Sequence, residues 1–155
     1  MTIKHQVQGR ANKRRGDAVE KRVARLLADM GYVMIERVHT PWGVIRNGKR
    51  IVSAFPREKV SGDFRAVKPF SPCGGMYLGL SVLVEVKSRP NRLLWSSLKP
   101  HQRAALDEHA AYSAHTWLFW EDSETGIIRK YKWPVAGFGK CKSLKPEGGD
   151  NDEKD

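Results

Sequence analysis

The stretch Ser81-Val-Leu-Val-Glu-Val-Lys87 decides how the rest of the chain is interpreted. It is a run of β-branched and apolar residues that ends in two opposite charges separated by one valine, which is typical of a buried strand. Side chains alternate between the two faces of a strand, so the three valines point one way while Glu85 and Lys87 point the other. One face therefore builds core, and the other presents an acid beside an amine.

This acid and amine pair has two interpretations. A metal-dependent hydrolase needs both groups, because the carboxylate holds the cation and the ammonium stabilises a developing oxyanion. The pair also fits a half-exposed strand end with a surface ion pair, since Glu-x-Lys is a common tripeptide. Residues elsewhere in the chain have to decide between the two.

An amphipathic helix is predicted upstream of this strand. Its apolar positions keep the helical period, and they are Val19, Val23, Leu26, Leu27 and Met30. Gly31 is suited to end the helix. Glu20 lies along the edge of the apolar face, which directs its carboxylate towards the sheet. Alternatively, Asp17 and Glu20 form a capping box at the helix start.

A second acid is predicted beside Glu85. Residues 59–67 have the composition of a strand and contain Asp63, and a loop over 68–75, rich in Pro and Gly, leads back into the strand of Glu85. Neighbouring strands joined in this way place two carboxylates within a few Å on one face. Aspartate is depleted in strands, so Asp63 indicates either a ligand or, because Gly62 precedes it, a turn.

The remaining elements complete an α/β pattern. Strands are predicted over 32–38, 115–120 and 127–133, the last of them at a sheet edge. A helix is predicted from Ser97 or Lys99, with Pro100 in its first turn and Gln102 following. The fold class is therefore α/β, with a central mixed β-sheet flanked by helices.

A hairpin is predicted between Pro41 and Phe55, where Asn47-Gly48 favours a type I′ turn. It carries basic and aromatic residues, and a DNA-binding arm, a dimer contact or an ordinary hairpin that extends the sheet all fit them. The whole chain then divides into a basic N-terminal arm over 1–15, a single domain over 16–138 with a hairpin insertion around 41–55, and a disordered tail over 139–155.

Charge is the most informative property of the composition. The 155 residues have a formal net charge of +11, although the C-terminal end is acidic, and such a balance favours a polyanionic partner such as DNA. Two cysteines outside any metal-binding spacing, and no export or membrane signal, predict a soluble protein of the cytoplasm. The residues expected to contact DNA are Arg10, Lys13, Arg14, Arg15, Arg89, Arg92 and Lys99.

Four motifs together resemble the PD-(D/E)XK nucleases, and more narrowly the Holliday-junction resolvases of archaeal and phage type. They are the basic stretch and acid of Asn12 to Glu20, Ser61-Gly-Asp63, Glu85-Val-Lys87, and Leu98 to Gln102. The resemblance spans most of residues 12–120. Gly62 replaces the proline of the family's name, and the hairpin is longer than expected of the smallest resolvases.

The resemblance implies a restriction-endonuclease-like fold and a Mg²⁺-dependent or Mn²⁺-dependent endonuclease. Asp63, Glu85 and the carbonyl of Val86 would bind the cations, with Glu20 joining directly or through water. Lys87 would orient the attacking water and stabilise charge, and Gln102 would position water. All-oxygen ligands suit Mg²⁺ or Mn²⁺ better than Zn²⁺. His101, next to Gln102, stays an open candidate.

The expected substrate is four-way (Holliday) junction DNA, in recombination and repair. A homodimer follows from this reading, because two symmetric cuts need two sites related by a twofold axis. Two alternatives remain: a nuclease of the same family that acts on flaps or ends, and a basic nucleic-acid-binding module without catalysis. Dependence of activity on divalent cations discriminates between them.

Overall fold

A computed structural model describes residues 3–39, 42–56, 62–71 and 78–145. The helices are α1 (Ile3–Asp29), α2 (Pro100–Tyr112) and α3 (Phe138–Cys141). The strands are β1 (Val33–Arg37), β2 (Trp42–Asn47), β3 (Arg50–Pro56), β4 (Phe64–Phe70), β5 (Leu78–Arg89), β6 (Leu93–Leu94), β7 (Thr116–Asp122), β8 (Ile128–Lys132) and β9 (Ser143–Leu144). Within these ranges no helix combines the length and apolar character needed to cross a membrane.

The central element is a five-stranded sheet in the order β1-β4-β5-β7-β8. Strands β5 and β7 are parallel, and the other neighbours are antiparallel, so the predicted mixed sheet is confirmed. Strand β8 lies at an edge of this sheet, also as predicted. Strands β2 and β3 form a separate ribbon, and β6 pairs with β9.

The two faces of the sheet carry two separate clusters of buried side chains. Val82 and Val84 of β5 pack on the α1 side with Val23 and Leu27 of the helix. Leu83 packs on the opposite side, in the cluster that includes Leu106 of α2. The alternation predicted for β5 is therefore present, and it leaves Glu85 and Lys87 on the α2 side.

The N-terminal arm predicted over 1–15 is not separate from the first helix, because α1 begins at Ile3. Asp17 consequently lies inside a continuous helix, and the predicted capping box is wrong. The prediction relied on apolar periodicity, which starts only at Val19. Upstream of it the sequence is rich in Lys, Arg and Gln and lacks proline, and these residues favour a helix without an apolar face.

The hairpin prediction is confirmed, but its turn is shifted by one residue. Asn47 pairs with Arg50, so the turn residues are Gly48 and Lys49. Gly48 alone of the two has a positive φ, 58°, which fits a type II′ turn with glycine first instead of type I′. The role of the hairpin, as a DNA arm or a dimer contact, stays open.

Strand β4 is displaced relative to its prediction, which covered residues 59–67 and placed 68–70 in a loop. It runs to Phe70, while residues 57–61 and 72–77 lie outside the described ranges. Pro69 is compatible with the strand because pairing with β1 ends at Val67, so Pro69 has a neighbour on one side only, in β5.

Part of the tail predicted to be disordered from residue 139 is ordered as far as residue 145. Phe138 begins α3 and is 1% exposed, in contact with the ring of Trp95. Beyond α3, Ser143 and Leu144 pair with β6. A single buried aromatic anchors this polar segment, which composition alone does not reveal. Residues 146–155 lie outside the described part of the chain.

Candidate active site

Glu85 and Lys87 form the centre of the site, as the sequence predicted. The Lys87 Nζ lies 2.6 Å from Glu85 Oε1, and the Glu85 side chain is fully buried while that of Lys87 is 16% exposed. Gln102 of α2 donates its Nε2 to the same carboxylate oxygen. Its Oε1 accepts a hydrogen bond from the backbone N–H of Lys99 at the start of α2. The start of α2 thus holds the Gln102 amide against the Glu85 carboxylate.

Asp63 lies beside Glu85, one residue before β4. Pairing of Phe64 with Val84 brings the two acids opposite each other across neighbouring strands. The Asp63 Oδ2 accepts a hydrogen bond of 2.6 Å from the backbone N–H of Val86, and the Asp63 N–H donates to the carbonyl of Val84 at 2.7 Å. Both contacts hold the Asp63 carboxylate at the strand end.

Gly62 allows this approach. Its φ is +81°, and a Cβ on it would lie 2.5 Å from Leu83 Cδ1, closer than packed carbon atoms tolerate. Both the left-handed backbone and the close contact therefore require glycine. The turn that the sequence offered as an alternative to a ligand role is present, and the same turn delivers Asp63 to Glu85.

Glu20 approaches the pair from α1, but its direct partner is a residue that the sequence reasoning missed. Arg37, at the end of β1, makes an ion pair with Glu20 and another with Asp17, at 2.9 Å. A cavity of about 500 Å³ opens here, and it is lined by Lys13, Asp17, Glu20, Arg37, Val38, His39 and Asp63. No sequence signal separates Arg37 from the other basic residues, because its role depends on the register of β1.

Burial raises the pKa of all three acids of the site, and Asp63 further raises those of Glu85 and Glu20. Burial and then the neighbouring Asp63 raise the pKa of Glu85 to about 7, and Lys87 opposes this only in part. Burial also raises the pKa of Asp63, against the opposing effects of the Val86 N–H and Lys87. The pKa of Glu20 is raised by burial and by Asp63, and Arg37 lowers it. Because the three carboxylates do not readily ionise together, a cation bound among them would stabilise their charged forms.

The chemistry of the donors fits Mg²⁺ or Mn²⁺ in part. The buried Glu85 Oε2 has no hydrogen-bond partner, and Asp63 supplies a second carboxylate beside it, as hard oxygen-binding cations prefer. However, no group of three or more His, Cys, Asp or Glu side chains in the described ranges is arranged to hold a metal ion. Glu20 is turned to Arg37, so Asp63 and Glu85 are the two carboxylates that fit.

The residues predicted to contact DNA fall into two groups. Arg10, Lys13, Arg14 and Arg15 all lie in α1, and Lys13 lines the cavity of Glu20 and Asp63. Lys13, Arg14 and Arg15 are exposed. Arg89, Arg92 and Lys99 are also exposed and follow the Lys87 end of β5. Lys13 is thus the member of this set that lines the acid cavity, and contact with DNA stays a prediction for all seven residues.

A scan against models of protein families finds no match to this chain, and a search of curated proteins finds no match either. The case for a function therefore rests on the geometry of Asp63, Glu85, Lys87 and Gln102.

Proposed function

We propose that this chain is a divalent-metal-dependent DNA endonuclease with a restriction-endonuclease-like fold, acting on branched DNA such as four-way junctions. The observation that carries the proposal is the convergence of Asp63, Glu85, Lys87 and Gln102 from three separate elements at one strand end. A structural ion pair needs neither the second acid nor the amide. A hydrolytic centre uses all four groups.

The side chains have distinct roles in this proposal. Asp63 and Glu85 hold Mg²⁺ or Mn²⁺ through oxygen atoms, with the Val86 carbonyl as a further ligand. When bound, such an ion polarises the phosphate and lowers the pKa of water. The ammonium of Lys87 faces the attacked phosphate and stabilises its added negative charge. Gln102 holds the Glu85 carboxylate and orients water beside it.

Arg37 and Lys13 allow the neighbouring cavity to accept the phosphate backbone of DNA. Their positive charges lie beside Asp17, Glu20 and Asp63, and they offset the repulsion between these acids and a phosphate backbone. Glu20 stays in contact with Arg37, and it would act on a bound cation through water. The exposed basic residues of α1 then extend the DNA contact away from the acids.

A catalytically inactive nucleic-acid-binding module is the second candidate. The observation in its favour is that Glu20 contacts Arg37 instead of forming a three-carboxylate group with Asp63 and Glu85. This candidate leaves the buried, unpartnered Glu85 Oε2 without a purpose. Such an atom is costly to bury unless a cation or water satisfies it.

The experiment that tests the proposal is cleavage of end-labelled DNA of one sequence in three forms: four-way junction, linear duplex and flap. Each is incubated with Mg²⁺, with Mn²⁺ and with EDTA, using the wild-type chain and Glu85→Gln. Metal-dependent paired cuts near the junction, absent in Glu85→Gln, are expected, and they also imply a homodimer. Cutting restricted to flaps or ends moves the protein to another substrate class. Binding of all three forms without cutting in either metal overturns the proposal.

A further inference from the structure

A second cleft lies on the same face of the sheet as Glu85, between β5 and the C-terminal half of α2. It measures about 760 Å³, which is the size of a site for a small ligand. Its lining combines apolar side chains, Leu80 and Leu83 among them, with Arg65, Ser81, His109 and Tyr112. Residues 78–81 of β5 are exposed here, because α2 ends above this part of the strand.

The polar side of the cleft is fixed by a chain of hydrogen bonds. His109 Nε2 lies 3.0 Å from the Ser81 hydroxyl, and His109 Nδ1 lies 2.6 Å from Thr116 Oγ1. Ser113 donates its hydroxyl to the carbonyl of Ser81 at 2.6 Å. Burial and then Arg65 lower the pKa of His109, which favours the uncharged ring. The hydrogen bonds hold the side chains of this wall in place.

The other side of the cleft carries an exposed aromatic ring and an exposed guanidinium group. Tyr112, the last residue of α2, is 89% exposed, and its ring therefore has a face free for stacking. Arg65 is also exposed and makes no ion pair with an acid of the described ranges. An accessible aromatic ring and an unpaired guanidinium that line one cleft are the combination that holds one nucleotide, with the base on the ring and the phosphate on the cation.

The position of the cleft relative to Glu85 is set by both elements that form it. Ser81, Leu83 and Glu85 share one face of β5, and α2 runs antiparallel above them, with Gln102 over Glu85 and His109 over Ser81. The two side chains that would hold the nucleotide lie at different separations from the site. Arg65 follows Asp63 by two residues, about 7 Å of extended chain, and Tyr112 follows Gln102 by ten residues, about 15 Å of helix. These separations equal about two to four nucleotides of B-form rise.

We propose that the cleft binds an unpaired nucleotide of the DNA substrate, about two to four nucleotides from the cleaved bond. The base stacks on Tyr112, Arg65 contacts its phosphate, and Glu108, which also lines the cleft, accepts a hydrogen bond from an exocyclic amine. A base within a duplex is stacked and cannot reach the ring. The cleft therefore selects DNA that has unpaired nucleotides over continuous duplex. This inference rests on the proposed function, and it adds the feature by which the substrate is recognised.

Two DNA probes test it in EDTA, with binding as the readout. One is a duplex with a single unpaired 5-iodo-2′-deoxycytidine at a varied position, and the other is the same duplex fully paired. Irradiation is expected to cross-link the unpaired base to Tyr112, identified by mass spectrometry. Tyr112→Ala is expected to weaken binding of the unpaired probe roughly 5- to 100-fold and to leave the paired probe unchanged. Tyr112→Phe, which keeps the ring, is expected to bind like the wild type.

A matched control is Met34→Ala, which removes another exposed side chain (78% exposed) from β1. Equal losses for Tyr112→Ala and Met34→Ala, or equal losses on both probes, overturn the inference, as does cross-linking elsewhere. Failure of the proposed function has a different signature, since cleavage in Mg²⁺ is measured separately. A chain that cuts DNA but does not prefer the unpaired probe keeps the function and loses this inference.

Discussion

Glu85 is an acid that the fold makes difficult to ionise. Its side chain is fully buried, and its ionic partner is Lys87. Burial and Asp63 outweigh that partner and raise the pKa of Glu85 from 4.5 to about 7. Ionisation of such a buried carboxylate destabilises the folded protein when no cation is bound, and binding of a cation stabilises it.

The pH dependence of stability follows from this shift. Because the folded pKa lies above the ordinary value, the contribution of Glu85 is fully present below about pH 4.5 and is lost as the pH rises through about 7. In EDTA, the free energy of unfolding is expected to fall over this window by about 1–3 kcal/mol more in the wild type than in Glu85→Gln. Urea denaturation at several pH values measures the difference. Identical pH profiles for the two proteins would contradict the assignment.

Arg37 is the second residue whose environment predicts a measurable effect. It balances Asp17 and Glu20, so Arg37→Gln leaves these acids unopposed where a phosphate is proposed to lie. Cleavage is expected to fall at least about tenfold, and the slope of log K against log salt to become shallower by about 1. Arg25→Gln removes an exposed arginine of α1 outside this cavity and serves as the control. Equal effects of Arg37→Gln and Arg25→Gln would show that Arg37 has no specific role in the site.

At the scale of elements, the turn before β4 positions Asp63. Gly62→Ala places a Cβ in a left-handed backbone and against Leu83, so it is expected to destabilise the chain by at least about 1 kcal/mol and to impair cleavage by displacing Asp63. Gly16→Ala is the matched control, because Gly16 lies within α1 with nothing within 4 Å of an added Cβ. This control is expected to stabilise the chain by about 0.5–1 kcal/mol. Thermal denaturation with activity assays separates the two.

Much of the framework could be predicted from local patterns. The alternation in β5 placed Glu85 and Lys87 on one face, and the return of the chain from Asp63 placed a second acid beside them. Two features could not be predicted. The helix before Val19 has no apolar period, so its start at Ile3 depends on propensity alone. The contact of Arg37 with Glu20, and that of Ser81 with His109, depend on how strands and helices pack, which no spacing in the sequence encodes.

At the scale of the whole molecule, the net charge of +11 helps to bind DNA at the site only if basic residues border the acids. Arg14 and Arg15 are exposed on α1, close in sequence to Lys13 and Asp17 of the acid cavity. Replacing both by alanine is expected to weaken binding of every DNA form alike and to make the salt slope shallower by about 2. Replacing Arg25 and Lys132, exposed residues outside that cavity, is the control. A similar change of slope in both double variants would show that charge acts without a defined DNA face.

The most direct test of the central claim is the rate of DNA cleavage in Mg²⁺ by Asp63→Asn, compared with the wild type and with Asp29→Asn. Both substitutions remove one negative charge and keep the shape of the side chain, but Asp29 is exposed at the end of α1. We expect Asp63→Asn to lose cleavage by about a thousandfold or more while its DNA affinity in EDTA is retained, since one of two carboxylate ligands is gone. Asp29→Asn is expected to cut like the wild type. Cleavage by Asp63→Asn at the wild-type rate would contradict the account.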